Sequence, residues 1–249
     1  MTAIIPRERL SFGSPDLDKM VGGGLLRGTA SLISGAPGVG KTTLGLQFLT
    51  AGIQAGQPGL LVSFEEFPSS LIRDALQLGW DLNALEKEGL FKIIFTSPEV
   101  FLGSLKAEDS PLAETLQTLA PERVVIDSIA HFQRLTDDIP LELREIYNTL
   151  VNAMKREGMT SLLLDEALNV LEVQHGRMAA LPFLVDTVII LRYVEIDSTM
   201  QRAIAVMKMR GSPHQKEIRR FEIQKGGLKI REPFTGREGL LSGITHRIA

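Results

Sequence analysis

Residues 35–42 have the composition and spacing of a loop that binds phosphate groups, G-x-x-x-x-G-K-[ST]. In order they are Gly35, Ala36, Pro37, Gly38, Val39, Gly40, Lys41 and Thr42. Gly38 and Gly40 allow the backbone to curl so that its N–H groups point at phosphate oxygens. Lys41 is expected to reach the β- and γ-phosphates, and the Thr42 hydroxyl to bind Mg²⁺, with Thr43 completing the binding set.

The neighbouring sequence supports this interpretation. Residues 29–34 form a predicted buried strand, and residues 41–55 a predicted helix whose N-terminal dipole favours an anion at the loop. A strand before the motif and a helix after it are the context in which the motif binds nucleotides, whereas the alternative is a glycine-rich turn without a ligand. We therefore predict ATP and Mg²⁺ as cofactors. GTP stays open because the loop contacts phosphates and not the base.

A second candidate for the metal is the acid that ends a predicted apolar strand, residues 123–127. In P-loop enzymes such an acid, here Asp127, holds the magnesium ion, usually through water. The alternative is that Asp127 or Ser128 caps the next helix. We favour the magnesium role, and Asp165, another acid at a strand end, is a weaker candidate.

Two adjacent acids, Glu65 and Glu66, follow the next predicted strand, residues 59–64. Ligands of an open α/β sheet bind at the carboxyl ends of its strands, so both acids are expected near the γ-phosphate. Because neighbours on a strand point to opposite faces, one of the two is expected to face the nucleotide and orient the attacking water. The alternative is a pair of solvated surface charges.

Lys208 and Arg210 lie two residues apart on a predicted strand, so both are expected on one face, with Met207 and Met209 on the other. Two cations on one face favour a phosphate or carboxylate partner, although an ordinary solvated strand face has the same spacing. The histidines at 131, 175 and 246 have no spacing typical of metal ligands.

The elements that must position these residues alternate between apolar and amphipathic, which predicts an α/β fold. Predicted strands cover residues 29–34, 59–64, 90–95, 123–127, 159–164, 184–195, 201–209 and 216–224. Predicted helices cover residues 41–55, 68–78, 111–119 and 141–156. Short turns between the last strands predict an antiparallel extension of a mostly parallel sheet. Residues 167–181 are expected to form a long loop or irregular helix, within one domain over residues 1–249.

Composition excludes several classes of function. With 27 basic and 30 acidic residues and a net charge of -3, the chain gives no electrostatic case for a nucleic-acid partner, and only a local basic patch leaves that partner open. It has no cysteine, which excludes disulfides and thiolate chemistry. The apolar runs are too short to span a membrane, and residues 1–10 lack the apolar core of a signal peptide. We therefore expect a cytoplasmic location.

Taken together, these residues resemble the KaiC family of RecA-like P-loop ATPases over almost the whole chain. The matching stretches are Gly22-Gly23-Gly24 with Arg27-Gly28, the phosphate loop, Phe64-Glu65-Glu66 with Pro68, Leu78-Gly79-Trp80-Asp81, Val125-Ile126-Asp127-Ser128, Asp186-Thr187-Val188-Ile189-Ile190-Leu191, Tyr193-Val194-Glu195, Lys208-Met209-Arg210-Gly211-Ser212 with His214, and Gly239-Leu240-Leu241-Ser242-Gly243. The double glutamate and the lysine–x–arginine–glycine stretch are the specific ones.

The resemblance implies a homo-oligomeric ring, usually a hexamer, with ATP bound between neighbouring subunits. It implies that Glu65 and Glu66 activate water and that Lys208 and Arg210 reach the γ-phosphate of the neighbour's ATP. The same nucleotide is then expected to contact Met209, Ser212 and His214.

Two departures narrow the expected function. KaiC itself carries two such domains in tandem, and this chain has one. The positions that match the phosphorylated Ser and Thr of KaiC are Pro182 and Phe183, which have no hydroxyl, so autokinase activity is not expected.

The resemblance favours a signalling or regulatory ATPase with an unidentified protein partner. Two alternatives stay open. One is a DNA-processing ATPase of the RecA or RadA kind, which needs a basic or aromatic loop facing the ring channel. The other is a nucleotide-gated scaffold with negligible turnover.

Overall fold

A nine-stranded sheet runs through the part of the chain that the computed structural model describes, residues 8–107, 109–136, 139–166, 181–241 and 246–247. The strands are β1 (Arg9–Leu10), β2 (Leu25–Leu26), β3 (Ala30–Gly35), β4 (Gly59–Ser63), β5 (Phe91–Phe95), β6 (Arg123–Asp127), β7 (Thr160–Asp165), β8 (Thr187–Ile196), β9 (Thr199–Met209), β10 (Arg219–Gln224), β11 (Gly227–Pro233), β12 (Arg237–Glu238) and β13 (His246–Arg247). The helices are α1 (Pro15–Met20), α2 (Lys41–Gln54), α3 (Pro68–Gln77), α4 (Leu82–Lys87), α5 (Pro98–Ser104), α6 (Pro111–Leu119), α7 (Pro140–Arg156) and α8 (Leu181–Leu184), with a 3₁₀ helix at Ile129–Leu135.

The order of the strands across the large sheet is β11-β10-β9-β8-β3-β7-β6-β4-β5. The run from β8 to β5 is parallel, and β9, β10 and β11 continue it antiparallel. The predicted fold class, a mostly parallel sheet flanked by helices with a C-terminal antiparallel extension, is therefore confirmed. Two further pairs, β1 with β2 and β12 with β13, form small sheets of their own.

Both faces of the parallel core are buried, as the continuous apolar strands require. Every residue of β3, β4 and β7 is buried. One face packs against α2 through Leu44, Phe48 and Leu49, and the other packs against α7 through Leu150 and Met154. The helices thus hold the sheet rigid while its carboxyl edge is left for the loops.

Most predicted boundaries lie within a few residues of the observed ones, and the exceptions have local causes. Strand β8 begins at Thr187 and not at 184 because Leu181–Leu184 forms the short helix α8. The predictions missed α1, α4, α5 and β11, which are short or lie in weakly periodic sequence. Residues 167–180, predicted as a loop or irregular helix, lie outside the described residues.

Helix starts follow the sequence rules closely. Proline occupies the first turn of α1, α3, α5, α6 and α7, where its missing N–H costs no hydrogen bond. Gly158, with φ +71°, ends α7 as predicted. None of the helices in the described ranges has the length and apolar character needed to cross a membrane.

Helix α2 packs against the sheet around one buried cation, Arg123, which is 2% exposed. Its guanidinium donates to the backbone oxygens of Ser11 and Phe48 at 2.6 and 2.7 Å and to the Gln57 side chain. Burial lowers the pKa of Arg123 to about 10. A Cβ at Gly52 of α2 would overlap the Cδ and Nε atoms of Arg123. The glycine is therefore required by this close approach.

We predict that substitution of alanine for two helical glycines changes the free energy of unfolding in opposite directions. Gly52→Ala forces Arg123 out of its hydrogen bonds and should lower the free energy of unfolding by about 2–4 kcal/mol. Gly103→Ala in α5, where an added Cβ meets nothing within 4 Å, should raise it by about 0.5–1 kcal/mol. Urea unfolding of both variants measures this. Equal effects at the two positions would contradict the role given to Arg123.

Candidate functional site

The phosphate loop leaves the sheet at the end of β3 and enters α2 at Lys41. Gly38 and Gly40 have φ values of +74° and +117°, a region that glycine enters without strain. A Cβ at Gly35 would overlap the carbonyl oxygen of Leu191 in β8, and one at Gly40 would lie 2.8 Å from Ile223 Cδ1 in β10. The glycines are thus needed for the backbone conformation and also for the tight fit against the antiparallel extension.

Lys41 is 6% exposed, and its ammonium lies inside the loop. It donates to the carbonyl oxygens of Gly35 at 2.9 Å and Ala36 at 3.2 Å. The cation is therefore already directed at the space that the loop encloses, as the motif predicts for a residue that reaches phosphate.

Thr42 and Asp127 meet across the sheet edge. The Thr42 hydroxyl donates to Asp127 Oδ2 at 2.6 Å. Burial raises the pKa of Asp127, against the lowering effects of the Thr42 hydrogen bond and the Lys41 charge. Ser128, and not Asp127, caps the following 3₁₀ helix, through a 3.2 Å bond from the N–H of Ala130. The helix-capping alternative for Asp127 is therefore not what the structure shows, and its carboxylate faces the phosphate loop.

These groups border a cavity of about 470 Å³, within the size range of small-molecule sites. Its lining comprises Pro37, Gly38, Gly40, Lys41, Thr42, Thr43, Leu46, Ser63, Glu65, Glu66, Leu71, Asp74, Leu78, Asp127, Ser128, Glu166 and Ile223. The predicted residues Gly35, Ala36 and Val39 belong to the loop backbone but do not line the cavity. The described lining holds five carboxylates and a single ammonium group.

Glu65 and Glu66 both line the cavity, and which of them faces the nucleotide stays a prediction. The alternation argument does not apply to them because β4 ends at Ser63 and the two acids lie in a bend. The Ser63 hydroxyl fixes that bend by donating to the carbonyl oxygen of Glu66 at 2.8 Å. Glu65 in turn lies 3.1 Å from the Nε2 atom of His131, a residue that the sequence analysis did not connect to the site.

Glu66 has the electrostatic surroundings of a group that accepts a proton. Burial raises its pKa most, followed by the charges of Asp127, Asp74 and Glu65, while Arg73 lowers it. A carboxylate with a raised pKa is a stronger base. The acids whose charges raise the pKa of Glu66 line the same cavity.

Two acids lie at the end of β7, Asp165 and Glu166. Asp165 is 1% exposed, and its Oδ2 atom has no hydrogen-bond partner in the described part of the chain. Burial raises the pKa of Asp165 to about 6. Glu166, the next residue, lines the cavity. Their position at the end of a buried strand of the parallel sheet is the sequence signal for both residues, and it predicts Glu166 as well as Asp165.

Lys208 near the end of β9 and Arg210 in the turn that follows both contact the α8 segment, but neither lines the cavity. The Lys208 ammonium donates to the carbonyl oxygens of Pro182 and Val185 at 2.6 and 2.7 Å, and Arg210 donates to that of Phe183 at 2.6 Å. Within the chain, backbone oxygens of the α8 segment therefore take the place of the predicted phosphate or carboxylate. Arg210 is exposed and Lys208 is partly buried.

The expectation that Met207 and Met209 share a face is wrong. A β-bulge between β8 and β9 leaves Met207 without a partner residue in the pairing, because Val188 pairs with Lys208 and Ile189 with Val206. Met207 is 41% exposed and Met209 is 8% exposed. The Met209 side chain packs in the core of its own chain, and its expected contact with a neighbour's nucleotide stays a prediction.

The turn after Arg210 forms as predicted. The Ser212 hydroxyl accepts a 2.6 Å hydrogen bond from Arg9, and His214 is partly exposed. Neither residue lines the cavity in its own chain.

The match to known proteins agrees with this arrangement. A family model described as ATPase: KaiC matches residues 10–234. The chain belongs to the KaiC ATPase family. It is 35% identical over 235 residues to the circadian clock protein KaiC3 of Synechocystis sp., covering 94% of this chain and 46% of that relative.

Other KaiC relatives give the same result. The circadian clock oscillator proteins KaiC of Picosynechococcus sp. and Thermostichus vulcanus are 33% and 34% identical over 242 and 241 residues. Each match covers 97% of this chain and 46% of the relative. The chain thus spans about half the length of the curated relatives it matches.

We predict that Asp165 makes stability depend on pH. Burial raises the pKa of Asp165 from about 3.9, the ordinary value in an unfolded chain, to about 6, so the folded state binds more protons in this window and the contribution of Asp165 to stability falls as pH rises through it. The stability of Asp165→Asn relative to wild type should therefore rise between pH 4 and pH 7 by roughly 2–3 kcal/mol. Thermal unfolding across this range measures it. Asp109→Asn, an exposed acid, should show no such trend, and a flat difference for Asp165→Asn would contradict the prediction.

The pKa of Glu66 tests whether the charge of Asp74 acts on this carboxyl group. Asp74→Asn removes a negative charge that raises this pKa and releases Arg73 from its 2.8 Å bond to Asp74. The pKa of Glu66 should fall, which ¹³C NMR titration of labelled glutamate carboxyls detects. Glu88→Gln, on the exposed end of α4, should leave it unchanged. A pKa of Glu66 that does not fall in Asp74→Asn would contradict the electrostatic role given to Asp74.

Proposed function

We propose that this chain binds ATP with Mg²⁺ in the cavity, hydrolyses it at the interface between subunits of a homo-oligomeric, hexameric ring, and acts as a regulatory ATPase. The observation that carries the proposal is the convergence of Lys41, the Thr42–Asp127 pair and the two glutamates on one cavity. The family supports ATP chemistry in general, and the geometry suggests how these residues divide the work.

The phosphate chain is held by the loop. Backbone N–H groups of the loop, the N-terminus of α2 and the Lys41 ammonium supply positive potential. The hydroxyl of Thr42 and the carboxylate of Asp127 are hard oxygen donors 2.6 Å apart, which suits Mg²⁺. When bound, that ion neutralises charge on the phosphates. The five carboxylates of the cavity make such a counterion necessary.

Water activation falls to Glu65 and Glu66. Glu66 is the better base because its surroundings raise its pKa, and Glu65 is oriented by His131. Neither glutamate needs to form a covalent bond to the substrate. Catalysis by these residues consists of positioning the water and accepting its proton.

Lys208 and Arg210 act in the neighbouring subunit's site. Both lie outside the cavity of their own chain and next to the exposed side chains of Phe183 and Met207. Cations at a surface with exposed apolar groups fit a contact with the acidic cavity of a second copy. Pro182 and Phe183 offer no hydroxyl to phosphorylate, so the proposal is hydrolysis and not autokinase activity.

We predict that two inactive variants complement each other. Glu66→Gln removes the base and Arg210→Ala removes the cation from the neighbour, and each alone should lower phosphate release about 100-fold. In a randomly mixed 1:1 ring, about a quarter of the interfaces combine an intact Glu66 with an intact Arg210, so activity should return to that level. Phosphate release after mixing, with molecular mass measured alongside, tests this.

The controls separate the parts of the proposal. Lys41→Ala should lose nucleotide binding altogether, whereas Arg144→Ala, an exposed arginine of α7, should keep full activity. No recovery on mixing would reject the shared site. A ring that binds ATP without releasing phosphate would favour the nucleotide-gated scaffold.

A further inference from the structure

Strands β8 and β10 contact the phosphate loop at three glycines. Leu191 of β8 lies behind Gly35, and Ile223 of β10 lies against Gly40. Between them, the hydroxyl of Tyr193 in β8 donates to the carbonyl oxygen of Gly38 at 2.7 Å. The contact at Gly35 is with the backbone of Leu191, and the contact at Gly40 is with the side chain of Ile223. The Tyr193 bond is directional, because it specifies where one carbonyl of the loop points.

The orientation of that carbonyl determines the orientation of a loop N–H. The Gly38 carbonyl and the Val39 N–H belong to one planar peptide unit and point in opposite directions. With the carbonyl held outward by Tyr193, the Val39 N–H points across the loop, where it donates to Ala36 at 3.3 Å. Gly38 has a φ of +74°, and glycine has no side chain to restrict this peptide unit. The hydroxyl therefore supplies the restriction that the glycine lacks.

The tyrosine is itself held in place. Its ring is partly buried against the core on the α2 side of the sheet. Arg202, its direct partner in the β8–β9 pairing, places its guanidinium carbon 5.4 Å from the ring centroid. A ring fixed on two sides presents the hydroxyl at one position.

From this geometry we infer that Tyr193 is a positioning residue for the phosphate loop, which orients the loop N–H groups toward the phosphates of the nucleotide. This inference rests on the proposed function. It assigns part of the affinity for phosphate to strand β8, outside the loop motif itself. Tyr193 does not touch the reacting atoms, so its effect should be on binding.

The test removes the hydroxyl alone. Tyr193→Phe should raise the Kd for ADP and for pyrophosphate, both with Mg²⁺, by the same factor of about three to ten, the value of one hydrogen bond. Pyrophosphate has no nucleoside, so an equal factor locates the effect at the phosphates. With ATP, KM should rise by a similar factor while kcat is retained. Calorimetry and phosphate release measure these quantities.

The chain provides a matched control in its other tyrosine. Tyr147 of α7 is buried, and its hydroxyl also meets a backbone carbonyl, that of Ile129 at 3.4 Å, away from the loop. Tyr147→Phe should leave both Kd values unchanged. An unchanged Kd in Tyr193→Phe, or an equal rise in both variants, would overturn the inference. Absence of nucleotide binding by the wild-type chain would instead reject the proposed function and this inference with it.

Discussion

The parallel pairing of four central strands is the constraint on which the site depends. In the register of the sheet, Ser34 pairs with Asp165, Leu164 with Asp127, and Asp127 with Ser63. These residues end β3, β7, β6 and β4, so the four strands end at one edge. The phosphate loop, the Asp127 carboxylate and the glutamate bend follow directly from those ends. A slip of one residue in any pairing would move a functional side chain to the other face of the sheet.

The antiparallel extension completes this edge from the other side. Strand β8 pairs parallel with β3 and antiparallel with β9, so it joins the parallel core to the extension. Leu191 and Tyr193 of β8 and Ile223 of β10 contact the phosphate loop, whereas Lys208 and Arg210 lie at and just after the far end of β9. One continuous set of strands thus connects a chain's own phosphate loop to the cations proposed to act in its neighbour.

The structural features that depend on the spacing of nearby residues could be predicted from the sequence. The loop motif, the strand that ends in Asp127 and the antiparallel end of the sheet all follow from local spacing. Simple alternation does not hold where a local irregularity changes the pattern. The bend after Ser63 directs Glu65 and Glu66 to the same cavity, and the bulge at Met207 separates two methionines that simple alternation places together. Such irregularities depend on pairing between distant strands, which no window of sequence contains.

Contacts between distant segments were beyond prediction for the same reason. Tyr193 lies 155 residues from Gly38, and His131 lies 66 residues from Glu65. No sequence motif predicts either contact, because each contact depends on which strands become neighbours in the sheet. The roles of the predicted site residues in catalysis remain proposals.

The charges of the site explain why assembly and nucleotide should be coupled. The cavity has five acids and one lysine in its described lining, so a phosphate chain entering it meets repulsion that Lys41 alone does not offset. Two further cations, Lys208 and Arg210, are bound to neutral carbonyl oxygens of their own chain. A phosphate oxygen carries a full negative charge, so it attracts an ammonium or guanidinium group more strongly than a neutral carbonyl dipole does. In the proposed ring, contact with a neighbour's phosphate would therefore compete with the carbonyl contacts of Lys208 and Arg210, which would link nucleotide binding to assembly.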